Sequence, residues 1–135
     1  MTKFLLLMNH DGGTSTTTMH EWSEADREAH LAHLTATLDK LRENGELVDV
    51  QGLTWPKHAK VVRAASVTAP VVTDGPYAES KEILAGYTLI DVESEERALE
   101  IAAEQSSAPG PGGVPIEQPI EVRRLMESDA DFWDI

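Results

Sequence analysis

Ser23 and Ser94 each stand in front of a helical stretch, while the apolar segments between and around them are short and strand-like. A serine at an N-cap accepts from a backbone N–H of the first turn. Asp26 follows Ser23 by three residues in a capping-box-like arrangement, and Glu95 and Glu96 follow Ser94 where the helix dipole favours acids. The first helix is expected to run to about Asn44, with Gly45 as its C′ stop, and the second to about Gln105. At about 100° per residue, Leu31, Leu34, Leu38 and Leu41 share one face of the first helix, which should pack on a sheet. Ala25, Ala29, Ala32 and Ala36 lie nearly opposite; there alanine serves as a good helix former or as a close-contact surface.

Strands are expected at Phe4 to Met8, Leu47 to Val50, Val61 to Val67, Val71–Val72, Gly86 to Val92 and Ile120 to Leu125. The continuous run Phe4-Leu5-Leu6-Leu7-Met8 should be buried on both faces. Residues 106–119 carry four prolines and three glycines and form a loop, as does the long polar stretch from Asn9 to Trp22. The order β, α, several β, α, β is that of an α+β ferredoxin-like sandwich. Two helices cover one sheet face only. A second copy is the economical cover for the other, giving a dimeric α+β barrel by two-fold symmetry. Residues 1–126 make one domain, and 127–135 an acidic tail with Phe132 and Trp133.

Composition narrows the function. A net charge of −13, from 24 acidic against 11 basic residues, argues against a nucleic-acid surface and against anionic membranes. An acidic substrate would need a locally positive pocket, for which Lys81, Arg123 and Arg124 are the better candidates. The absence of cysteine removes disulfides, thiolate nucleophiles and thiolate metal sites. The opening apolar run is too short for a signal peptide or a membrane span, so the cytoplasm is the expected compartment. No phosphate-cradling Gly-Lys-Ser pattern or Gly-x-Ser-x-Gly elbow is present. Aromatics, at 5% of the chain, are too few for a base-stacking platform.

Between strand-like segments lies Asp74-Gly75-Pro76-Tyr77-Ala78-Glu79-Ser80-Lys81-Glu82. Gly75 precedes a proline, which closes the α region, so an extended or positive-φ backbone is expected there. Asp74 can bond the backbone two residues on. This stretch, with Gly86-Tyr87 after it, resembles the signature of the DGPF domain proteins of the YCII-related superfamily. Tyr77 and Ser80 replace that family's more usual Phe and Thr, and the likeness covers roughly residues 3 to 126. The resemblance implies a ferredoxin-like fold that pairs into a homodimer, with biochemical activity mostly undetermined. Relatives with this signature are often encoded beside extracytoplasmic-function sigma factors, which makes a sigma factor a partner to test.

His30 has the best geometric claim among the five histidines, lying roughly 60° from the centre of the leucine stripe. There it could act as acid or base near neutral pH, or serve only as a hydrogen-bonded boundary residue. Its context, Arg27-Glu28-Ala29-His30-Leu31-Ala32, resembles the helix histidine of the wider superfamily, for which a His–Asp pair has been proposed. Those relatives carry Asp-Pro after the second helix, where this chain has Ser106-Ser107-Ala108-Pro109. Asp74 either stabilises its turn or lines a pocket with Tyr87 and His10. Glu79 and Lys81 form a surface ion pair or contribute to a ligand site. His33 should point away from the core, and His58 should sit in a loop. His10, Asp11, His20 and His30 match no dedicated metal motif, so no metal is expected.

The expectation is therefore a dimer with a pocket between sheet and helices, acting without cofactor on a small organic molecule by proton transfer. His30 or Asp74 would be the base, Tyr87 would orient, and His10, Glu79 and Lys81 would bind. The alternative is a non-catalytic ligand-binding or regulatory protein associated with a sigma factor.

Overall fold

The computed structural model describes residues 1–10, 13, 15, 17–75 and 83–135. Its elements are β1 (Thr2–Asn9), α1 (Glu24–Glu43), β2 (Leu47–Gly52), β3 (Lys60–Ala64), β4 (Pro70–Asp74), β5 (Leu84–Val92), α2 (Glu95–Ser106), β6 (Ile120–Arg124) and α3 (Asp129–Phe132). Four strands form one antiparallel sheet in the order β2-β5-β1-β6. β1 and β2 thus run parallel with β5 between them, and β5 and β6 run parallel with β1 between them. This double split β-α-β arrangement is ferredoxin-like. The β3–β4 hairpin forms a separate two-stranded sheet, inserted between the two halves.

Both long helices lie on the same face of the sheet. Phe4 and Leu6 of β1 and Ile90 and Val92 of β5 meet Leu41 of α1 and Ala98, Ile101 and Ala102 of α2. Alternation along the strands puts Leu5, Leu7, Tyr87 and Leu89 on the opposite face, where they are half-buried. The β1 run is therefore fully buried on one side only within a single chain.

Both expected N-caps are formed. Ser23 accepts from the Asp26 amide and Ser94 from the Arg97 amide, each at 3.1 Å. Gly45, just past α1, has φ +79°, the left-handed conformation that a C′ glycine supplies without strain. The φ of Gly75 is not in the left-handed range, which excludes the positive-φ alternative, and a Cβ there would come within 2.8 Å of Val61 Cγ2.

The buried face of α1 is rotated from the leucine stripe. His30, Thr37 and Leu41 are buried and Leu34 and Leu38 half-buried, whereas Leu31 is 53% exposed. On an α-helix residues 30, 34, 37 and 41 fall within about 60°, and Leu31 lies about 90° from their centre. His30 thus sits on the core stripe, not at its margin. Thr37 tolerates burial because its hydroxyl donates to the His33 carbonyl at 2.9 Å. His33 also departs from expectation. Its Nε2 lies 2.7 Å from the Glu104 carbonyl, tying α1 to the last turn of α2.

The tail is anchored and its rings are exposed. Arg124 donates to both Asp131 carboxylate oxygens, and the Glu127 amide donates to Asp131 Oδ2. Phe132 and Trp133 pack edge to face with centroids 5.0 Å apart, and both stay mostly in solvent. Among the described residues, no helix is long and apolar enough to cross a membrane.

Candidate functional site

A cavity of about 580 Å³ opens where the end of β1, the start of β5, the first turns of α1 and the last turn of α2 converge. The pairing of β1 with β5 shifts register between Met8 and Asn9, both of which line this space. β1 runs on into His10, α1 contributes Arg27, His30 and Leu34, and α2 contributes Gln105. Trp22, just before α1, and Trp55, after β2, supply large flat walls.

His30 is only 5% exposed. Its Nδ1 lies 3.1 Å from the Pro109 carbonyl oxygen. A carbonyl can only accept, so Nδ1 carries the proton and donates. The neutral ring then keeps its lone pair on Nε2. Burial pushes the His30 pKa below 6.5, the Pro109 bond opposes that, and the nearby His33 adds to the lowering. The Trp22 indole meets the ring edge-on at a centroid distance of 5.4 Å. Elsewhere in the lining His10 stacks on Trp55 at 4.6 Å, and His20 lies tilted against the same indole at 4.9 Å.

Gln105, also 5% exposed, donates from Nε2 to Thr88 Oγ1 at 3.1 Å. Its Oε1 has no partner, nor does His10 Nε2; among the described residues these are two of three such buried side-chain atoms. A buried polar atom without a partner is costly, and in native structures its neighbourhood is commonly a ligand or water site.

Of the histidines singled out from the sequence, His10, His20 and His30 line the cavity. Asp74 does not; it lies on the exposed hairpin, 2.5 Å from Lys60 Nζ. Tyr87 is on the opposite face of the sheet, where its hydroxyl donates to Asp49 Oδ2 at 2.8 Å. That bond pushes the Asp49 carboxyl below its usual range and the Tyr87 phenol above its own. Glu79 and Lys81 lie outside the described residues, as do Asp11, Pro76 and Tyr77. Among the described residues, no group of three or more His, Cys, Asp or Glu is placed to hold a metal.

Among the described residues the cation of the cavity wall is Arg27; of the three cations expected from the sequence, Lys81 lies outside the described residues and Arg123 and Arg124 are elsewhere. Arg124 is held by Asp131 and Glu127. Arg123 projects from β6 on the uncovered face of the sheet. Gln105 was also missed as a pocket residue. The usable signal for Arg27 was its spacing of three from His30 on one helix face.

The fold and cavity define a small α+β domain with a split β-α-β sheet and an aromatic-walled site at one end of it. The sequence matches the YCII-related domain family over residues 2–115, and the chain belongs to that family. It is also 38% identical, over 87 residues, to an uncharacterised protein of Rhizobium meliloti (strain 1021), covering 64% of this chain and 69% of that one.

Proposed function

We propose that the protein is a cofactor-free enzyme that moves a proton on a small organic molecule bound in the cavity, with His30 as the base. The observation that carries this is the hydrogen bond of the cavity-lining His30 to the Pro109 carbonyl. It fixes the tautomer, and burial keeps the ring uncharged near neutral pH, so Nε2 is available to accept a proton. The aspartate that the wider superfamily resemblance implies as the partner of this histidine is replaced here by a backbone carbonyl. A carbonyl orients the ring as a carboxylate would, without adding a negative charge.

The active form would be a homodimer closed over the uncovered sheet face. Leu5, Leu7 and Leu89 support this, since half-buried leucines in a row on an unpaired face favour an apolar cover.

A turnover screen of small metabolites, repeated with His30→Gln, tests the role of the histidine. Loss of about 10²-fold or more in kcat is expected for a general base. The wild-type rate should rise with pH and level off below 6.5, the ordinary histidine value. Unchanged turnover in His30→Gln would remove His30 from the mechanism.

A further inference from the structure

We propose that the cavity takes a monoanionic acid with a flat, unsaturated ring body and a hydrogen-bond donor of its own. This rests on the cavity being the ligand site.

The first observation is electrostatic. The chain has 24 acidic residues, yet none of the described residues lining the cavity is Asp or Glu. The wall instead holds the Arg27 guanidinium, which makes no ion pair among the described residues. A guanidinium matches a carboxylate with two parallel N–H···O bonds. Lysine is absent from the described lining. One fixed cation balances one negative charge, which favours a carboxylate over a phosphate dianion. It also disfavours a cationic guest, which the indoles alone would have welcomed.

The second observation is shape. Trp22 and the stacked His10–Trp55 pair supply flat aromatic surface at the cavity walls. Aromatic rings prefer offset-stacked or edge-on neighbours at centroid distances of about 4.5–7 Å, so a planar ring is the natural filler. The third is the unpartnered Gln105 Oε1, on a side chain 5% exposed and already fixed by Thr88. A buried carbonyl oxygen of this kind accepts only, which calls for an O–H or N–H on the guest.

The probe is 6-hydroxy-2-naphthoate, with 2-naphthoate and 2-naphthol as deletions of its hydroxyl and its carboxylate. Quenching of the Trp22 and Trp55 emission reports binding to the full-length protein. Removing the carboxylate should weaken binding about 10- to 100-fold, and removing the hydroxyl about 5- to 10-fold. Arg27→Gln should bring the naphthoate and the naphthol to within about threefold of each other, and raised salt should do so partially in the wild type. If 2-naphthol binds as tightly as the acid, or Arg27→Gln leaves the preference intact, the anionic class is overturned while the cavity remains a ligand site. If 2-naphthoate binds as well as its hydroxylated parent, the donor requirement falls. If none of the three binds, the ring-acid assignment fails; should a turnover screen still find a His30-dependent substrate, the cavity stands without it.

Discussion

The Nδ1 of His30 and the carbonyl oxygen of Pro109 lie 3.1 Å apart, joining the core stripe of α1 to the loop that follows α2. The bond holds the imidazole of a cavity-lining residue in one tautomer. Burial of the ring, with the Trp22 indole against it, outweighs the opposing Pro109 bond, so protonating it costs folding free energy.

The pH dependence follows from the sign of that shift. A histidine whose folded-state pKa lies below 6.5 binds fewer protons folded than unfolded in the interval between the two values. Its contribution to stability is complete above about pH 6.5 and shrinks as pH falls through that value toward the folded-state pKa. Urea midpoints measured from pH 8 to pH 5 should therefore fall more steeply in the wild type than in His30→Gln, which cannot titrate there. Parallel curves would mean that His30 is not held neutral.

The core should respond as a tightly packed one. Ile101 is 1% exposed and sits among Phe4, Leu6 and Ile90 in the core cluster. Ile101→Ala removes three carbons and leaves a void, and should cost about 2–5 kcal/mol in chemical denaturation. A loss below about 1 kcal/mol would mean that α2 re-seats easily on the sheet.

Much of the fold was legible because period and punctuation agreed. Ser23, Gly45 and Ser94 mark helix ends by local chemistry that needs no tertiary context. The strand order was legible only as a pattern class. The site was harder, because hydrophobicity misdirects where polar groups are buried and paired. His30 and Thr37 occupy core positions that apolar counting gives to Leu31, since each has its own carbonyl partner. The cavity is assembled from segments far apart in the chain, so no spacing rule joins Arg27, Trp55 and Gln105. Asp74 and Tyr87 drew notice through a local signature, yet they lie on a hairpin and on the opposite sheet face.

The β3–β4 hairpin should open before the rest. It pairs with no strand of the main sheet, and Val62, Val71 and Val72 remain exposed on it. Two strands alone are marginal in water. Amide exchange over residues 60–64 and 71–74 should be about 10²-fold or more faster than at Thr88 and Ile90 of β5, which is paired on both sides. Equal protection would require a partner surface over the hairpin.

For the proposed dimer, Leu89→Glu places a charge on the uncovered face without touching the helix-covered core. Gel filtration with light scattering should show about half the wild-type mass at micromolar concentration, with unchanged helical circular dichroism. A wild-type protein that already elutes as a monomer would remove the closed barrel.

The join between β2 and α2 offers a further measurement. Arg97 donates from Nε and Nη2 to the Glu46 carboxylate at 2.8–3.2 Å and reaches Glu100 from Nη1. The Arg97 bonds hold the Glu46 carboxyl below its usual range. Glu46 is 13% exposed, so the pair lies between a solvent ion pair and a fully buried one. Arg97→Met keeps the apolar stem and leaves that carboxylate without its cation, for an expected loss of about 1–3 kcal/mol near neutral pH. A carboxyl with a depressed folded-state pKa stabilises above its unfolded value, 4.5, and stops doing so as pH falls through the folded value. The wild-type advantage over Arg97→Met should therefore be full at pH 7 and shrink as the pH drops below about 4.5. Adding Glu46→Gln to Arg97→Met should recover part of the loss at pH 7, because an amide can stay buried without a counter-charge. A difference between wild type and Arg97→Met that stays constant down to pH 3 would show that the arginine acts through packing alone.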